Sequence, residues 1–152
     1  MGGLDRIEAR LQIGDGALDE PDAERLLRSD PNAVLLAVLL DQQMRAETAF
    51  VGPYRLSERL GHLDPRRIAD MDEEAFHEAF SESPAIHRFS SMMAERTREL
   101  MGAITEQLEG DGGSLWRDAD DDTIARRAKA LPGYGPAKVR TLLHALELFG
   151  YR

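Results

Sequence analysis

Two stretches of this chain carry residue types at spacings that suit chemistry. The first is Leu131-Pro132-Gly133-Tyr134-Gly135-Pro136-Ala137-Lys138. Glycine at 133 and 135 permits positive φ and close approach of another backbone, so the stretch reads as a turn between two helices. Pro136 suits the first turn of the second helix. The N–H groups at that helix start, together with the N–H of Gly135 and the positive end of the dipole, form an anion site. Lys138 and Arg140 add charge there, and Leu131, Val139, Leu142 and Leu143 form the apolar side that packs the two helices together. Such a site holds a nucleic-acid backbone and reads no sequence. The second stretch is Asp41-Gln42-Gln43, where a wholly apolar run from Ala33 to Leu40 turns abruptly polar. A further acidic run, Asp118, Asp120, Asp121 and Asp122, lacks the glycine and the distal glutamate of a calcium loop. It reads as a helix start, with Asp121 or Asp122 as the cap.

The elements that must position these residues are helical throughout. No stretch alternates with period two, and β-branched residues are sparse. Pro21-Asp22-Ala23-Glu24 opens a short helix, and Asp30-Pro31 opens the next, over roughly 32–44. A helix that is apolar all round, as this one is, belongs at the centre of a core. Roughly 46–60 is another helix ending at Gly61, with a kink or break expected at Gly52-Pro53. Asp64-Pro65 and Asp72-Glu73-Glu74 start two short helices. A long helix covers about 88–108, and Glu109 to Gly113 is a loop followed by a short turn at Leu115-Trp116. Helices over 121–130 and 136–149 flank the glycine turn. The expectation is one globular unit of about eight to ten short helices, with residues 1–29 packing on a domain of residues 30–152.

Bulk properties set limits. Without cysteine there is no disulfide, no thiolate metal site, no cysteine nucleophile and no cysteine-held iron–sulfur cluster. The longest apolar run is too short to span a bilayer, and Met1 to Arg6 lacks a secretory layout. The expectation is a cytoplasmic protein that meets no membrane. A net charge of −9 speaks against nucleic acid at first sight. It is unevenly spread, however: residues 123–152 carry +5 and the remainder −14. Phosphate contacts are local, so a basic segment on an acidic body can still bind a strand.

The turn at Leu131 to Lys138 resembles the LPGxG hairpin of the HhH-GPD superfamily, the helix-hairpin-helix DNA glycosylases of base-excision repair. Leu39-Leu40-Asp41-Gln42-Gln43 is similar to the LLSQQT segment that ends the central helix of those enzymes. The likeness covers roughly 30–150. It is closest to a small bacterial group of HhH-GPD-type repair proteins sharing LLDQQ, AFxGPY and PAxHRF, here Leu39–Gln43, Ala49–Tyr54 and Pro84–Phe89. The resemblance implies an all-α six-helix barrel with its hairpin over 121–149, DNA as partner, a monomer, and a location at the bacterial nucleoid. It implies that Gln42 and Gln43 face the lesion, where an amide suits base edges. Gly133, Tyr134, Gly135, Ala137, Lys138 and Arg140 would contact the backbone. The main-chain carbonyls of Lys129, Leu131 and Tyr134 would hold a monovalent cation, K⁺ or Na⁺, with no other cofactor.

The chain also departs from that pattern. The catalytic aspartate of those enzymes would fall beyond Arg152, and Glu147 lies about one and a half to two helical turns too early. Ala137 occupies the place of the Schiff-base lysine, and Lys138 is rotated from it by about 100°. Val38 stands where adenine-removing members carry a glutamate. No lyase activity is expected, and another acid must stabilise an oxocarbenium-like state. Asp41 is the first candidate by place, then Glu47, then His87 as proton donor or phosphate contact. Three functions follow: a monofunctional DNA N-glycosylase, a non-catalytic binder of DNA lesions, and a glycosidase for modified nucleosides.

Overall fold

The computed structural model describes residues 3–152. Among them are nine α-helices, one 3₁₀ turn and no strand. The helices are α1 (Gly3–Gln12), α2 (Pro21–Ser29), α3 (Pro31–Leu40), α4 (Ala46–Leu60), α5 (Pro65–Asp70), α6 (Glu73–Ser81), α7 (Ser90–Gln107), α8 (Asp121–Lys129) and α9 (Pro136–Leu148). The 3₁₀ turn is Gly112–Leu115. No helix is long and apolar enough to cross a membrane.

The apolar run places α3 where its composition requires. Every side chain from Ala33 to Leu40 is fully buried, and α2, α4, α7, α9 and the 3₁₀ turn all pack on it. Its start is fixed by Asp30, whose carboxylate accepts the Asn32 N–H at 2.9 Å, and by Pro31 at its first position. Asn32 is polar yet buried, and both ends of its amide are used. Nδ2 donates to the Gly110 carbonyl at 3.0 Å, and Oδ1 accepts the Gly112 N–H at 2.7 Å. This pair closes the 109–113 loop onto the helix start.

Several boundaries differ from the sequence reading. α3 stops at Leu40, because the residues after it leave the helix as soon as the apolar run ends. The helix α4 passes through Gly52-Pro53 without a break. Gly52 is needed for contact rather than for bending: a Cβ there would stand 2.6 Å from Leu40 Cδ1. The acidic run caps α8 through Asp120, whose side chain accepts the Thr123 N–H at 2.8 Å, and neither Asp121 nor Asp122 serves. Asp121 pairs instead with Arg152 at 2.6 Å. α1 packs on α4 and α9, and α2 on α3 and α4, so one core runs from Leu4 to Phe149.

Candidate functional site

The turn between α8 and α9 presses against the end of α3. Gly133 has φ 82°, in the left-handed region, and a Cβ there would lie 2.6 Å from Leu39 Cδ1. Both the conformation and the approach demand glycine. Gly135 demands neither. Its φ is −106° and its ψ −172°, ordinary extended backbone, and an added Cβ would meet nothing within 4 Å. Tyr134 turns away from the surface on which a backbone contact was expected. It is buried, its hydroxyl donates to the Leu35 carbonyl at 2.6 Å, and its N–H donates to the Leu131 carbonyl at 3.2 Å. Burial holds its phenol well above the usual tyrosine range. Tyr134 is therefore a core anchor, with no donor left for a phosphate.

No side chain caps α9, and Pro136 stands at its first position. The N–H groups of Ala137 and Lys138 have no intrahelical partner at a helix start of this kind, and Ala137 is exposed. Lys138 is half-buried and reaches back to α3: its Nζ donates to the Asp41 carbonyl at 2.6 Å. Burial lowers its pKa, against a raising influence from the nearby Asp41 carboxylate.

The loop from Asp41 to Arg45 joins α3 to α4, and side chains from three later elements hold it. His87 is 1% exposed, and its Nδ1 accepts the Phe89 N–H at 3.0 Å. Its Nε2 therefore carries the proton and donates to the Gln42 carbonyl at 3.0 Å. Arg88 Nη1 donates to the Gln43 carbonyl at 3.2 Å, and Arg96 Nη1 donates to Gln42 Oε1 at 3.3 Å. Among the described residues, Arg88, Arg96 and Lys138 make no ion pair with a carboxylate. Three cations thus converge on the oxygens of one loop, and of the three only Lys138 feels a nearby carboxylate, that of Asp41, without pairing with it. Gln43 itself is exposed at φ 55°, a conformation that costs a side-chain-bearing residue about 1–2 kcal/mol.

The three candidate acid–base residues meet different fates. Glu47 accepts Arg6 at 3.0 Å through both oxygens and Arg45 at 2.8 Å. The Arg6 hydrogen bonds lower its pKa to about 2, against the opposing effect of burial. It is an ionised structural partner of two arginines. His87 has both ring nitrogens engaged with backbone, and burial lowers its pKa, so it stands neutral as the loop's support. Asp41 alone faces space. It lines a pocket of about 230 Å³ with Gly3, Leu4, Asp5, Arg140, Thr141 and His144. Burial raises its pKa, opposed by Lys138 and Arg6. A half-buried carboxyl with a raised pKa at the wall of a pocket has the attributes of an acid–base group. A larger cavity, about 700 Å³, opens at the other end of α3 beside Asp30 and Asn32, and none of the candidate residues lines it.

Arg6, Arg88 and Arg96 escaped the sequence reading. Arg88 adjoins His87 within Pro84–Phe89, which is a local signal, whereas nothing adjacent to Arg96 or Arg6 points to their partners 54 and 41 residues away. The carbonyls of Lys129, Leu131 and Tyr134 are hard oxygen donors of the kind a monovalent cation takes. That of Leu131 already accepts the Tyr134 N–H and keeps its second lone pair. Compared with protein-family models, with curated proteins and with solved structures, the chain has no match.

Proposed function

We propose that this chain binds duplex DNA with the α8–α9 corner and the Asp41–Arg45 loop, and removes a damaged or modified base as a monofunctional N-glycosylase of the HhH-GPD kind. One observation carries the reading. Lys138, Arg88 and Arg96 converge without carboxylate partners on the loop that presents Gln42 and Gln43. A cluster of cations without ion pairs on an otherwise acidic protein suits phosphates, and the exposed Gln43 amide beside it suits a base edge. Phe89, next to the Arg88 that holds this loop and with that guanidinium over its ring, is 36% exposed. An apolar ring among cations fits a partly unstacked strand. In this reading the six-helix barrel and the helix-hairpin-helix provide the frame, and α9 offers its first-turn N–H groups to a phosphate. The Lys129, Leu131 and Tyr134 carbonyls would hold a K⁺ or Na⁺ that adds positive charge at that contact. Asp41 acts as the carboxylate that stabilises the developing oxocarbenium ion, with the extruded base in the adjoining pocket.

The test is a panel of duplexes carrying uracil, alkylated or oxidised bases, followed by alkaline cleavage of abasic products. The expected result is turnover on at least one member, lost in Asp41→Asn with DNA affinity retained. Arg88→Ala with Arg96→Ala should weaken binding uniformly across sequences and lower the salt slope by about 2. DNA binding without turnover on any member would support a second reading, a non-catalytic binder of lesions. Glu47 and His87 favour that reading, since the fold uses both to hold the loop. Absence of salt-sensitive binding would overturn both.

A further inference from the structure

A second set of side chains has the chemistry of a ligand shell and lies apart from the cations that hold the loop. Asp5 and Glu8 stand one turn apart on α1, and His144 reaches them from α9. One ligand atom from each lies within 4.8 Å of the others. His144 Nε2 is 3.4 Å from Glu8 Oε1. That is long for a hydrogen bond, which centres on about 2.9 Å. It equals the separation of two ligands around one tetrahedral ion, roughly 3.3–3.4 Å for bonds of about 2.0–2.1 Å.

The acidic run at 118–122 makes a useful contrast. There every donor is a carboxylate on one short stretch of chain, with Asp120 capping α8 and Asp121 paired with Arg152. At Asp5, Glu8 and His144 the donors are mixed, two carboxylates and an imidazole, and they come from helices at opposite ends of the sequence. Asp5 and His144 also line the pocket of about 230 Å³, so an ion bound by the three would keep coordination positions open to it.

We propose that Asp5, Glu8 and His144 bind a divalent transition-metal ion of the Zn²⁺ class, which fastens α1 to α9. An imidazole with two carboxylates suits Zn²⁺ or Mn²⁺, whereas Mg²⁺ and Ca²⁺ prefer all-oxygen shells. The ion adds its binding free energy to the folded state, because the ligands are brought together only there. The inference is independent of DNA binding and would stand if the glycosylase reading failed.

The experiment uses the full chain, free of any affinity tag and stripped with a chelator. Zn²⁺ binding is measured by calorimetry and thermal unfolding, with Mg²⁺ and Ca²⁺ as comparisons. One Zn²⁺ per chain is expected, with a rise in Tm that Mg²⁺ and Ca²⁺ do not produce. His144→Asn and Glu8→Gln, each checked for native helicity, should each weaken binding by about tenfold or more, within the range that ligand-shell changes produce. No saturable uptake, or uptake unchanged in both variants, would overturn the assignment. Equal binding of Mg²⁺ would overturn the class of ion.

Discussion

The two ends of α3 are built on opposite plans. At its start, polar groups meet partners of complementary type: Asp30 caps the helix and the Asn32 amide satisfies a carbonyl and an N–H of the 109–113 loop. At its finish, three cations take carbonyl and amide oxygens, none pairs with a carboxylate, and Gln43 is held at positive φ. The start is arranged for stability. The finish carries strain and cations without ion pairs, features that proteins retain where something must bind. Cavity volume ranks the two ends the other way, since the larger hollow lies at the start. Charge and strain are the better guides here because they are costs that the fold has no reason of its own to bear.

Substitutions can break or sharpen this contrast. The largest effect should come from Asn32→Ala, which leaves the buried Gly112 N–H and the half-buried Gly110 carbonyl without partners, for a loss of about 2–5 kcal/mol in urea unfolding. A loss below about 1 kcal/mol would mean that water replaces the amide. Gly133→Ala comes next, at about 2–4 kcal/mol, because it combines a left-handed backbone with a clash against the buried Leu39. Gly135→Ala, in open space and extended, should change stability by no more than about 0.5 kcal/mol. Gln43→Gly should act in the opposite direction, stabilising by about 0.5–1 kcal/mol as the strain is relieved, while DNA affinity falls. If Gln43→Gly destabilises, the finish of α3 is no more strained than its start.

A further effect concerns acid. Glu47 has its pKa lowered from the usual 4.5 to about 2 by Arg6. A carboxylate with a depressed folded-state pKa stabilises above its unfolded value, and that contribution is lost as pH falls from about 4.5 to about 2. Glu47→Gln should therefore be less stable than the parent at neutral pH, and the difference should close through that window. A difference that is constant with pH would show that the Arg6 pairing does not set the titration.

Local signals in the sequence reached far into this fold. Asp30, Asp64 and Asp72 cap the helices they were expected to open, and the run Ala33 to Leu40 is the buried helix its composition requires. Such features depend on neighbours a few residues away. The candidate site was legible only in part. His87 meets the Gln42 carbonyl and Lys138 that of Asp41, but Asp41 alone of the candidate acid–base residues lines the pocket, and these pairings span 45 and 97 residues, set by packing rather than by local pattern. Tyr134 shows the difficulty well. Two glycines around an aromatic suggest an exposed turn, yet its ring is aimed into the core, where the hydroxyl finds a carbonyl 99 residues away. Pro53 is the converse case, a residue whose usual local meaning yields to the surrounding contacts.

The bond from Lys138 to the Asp41 carbonyl joins the α8–α9 corner to the loop that carries Gln42 and Gln43. With Gly133 seated on Leu39, the two surfaces are held at a set offset rather than left to swing separately. Two fixed points of this sort act as a caliper. Under the proposed DNA binding they would set one built-in length against the strand laid across them, and a ligand of another repeat would touch both only by bending.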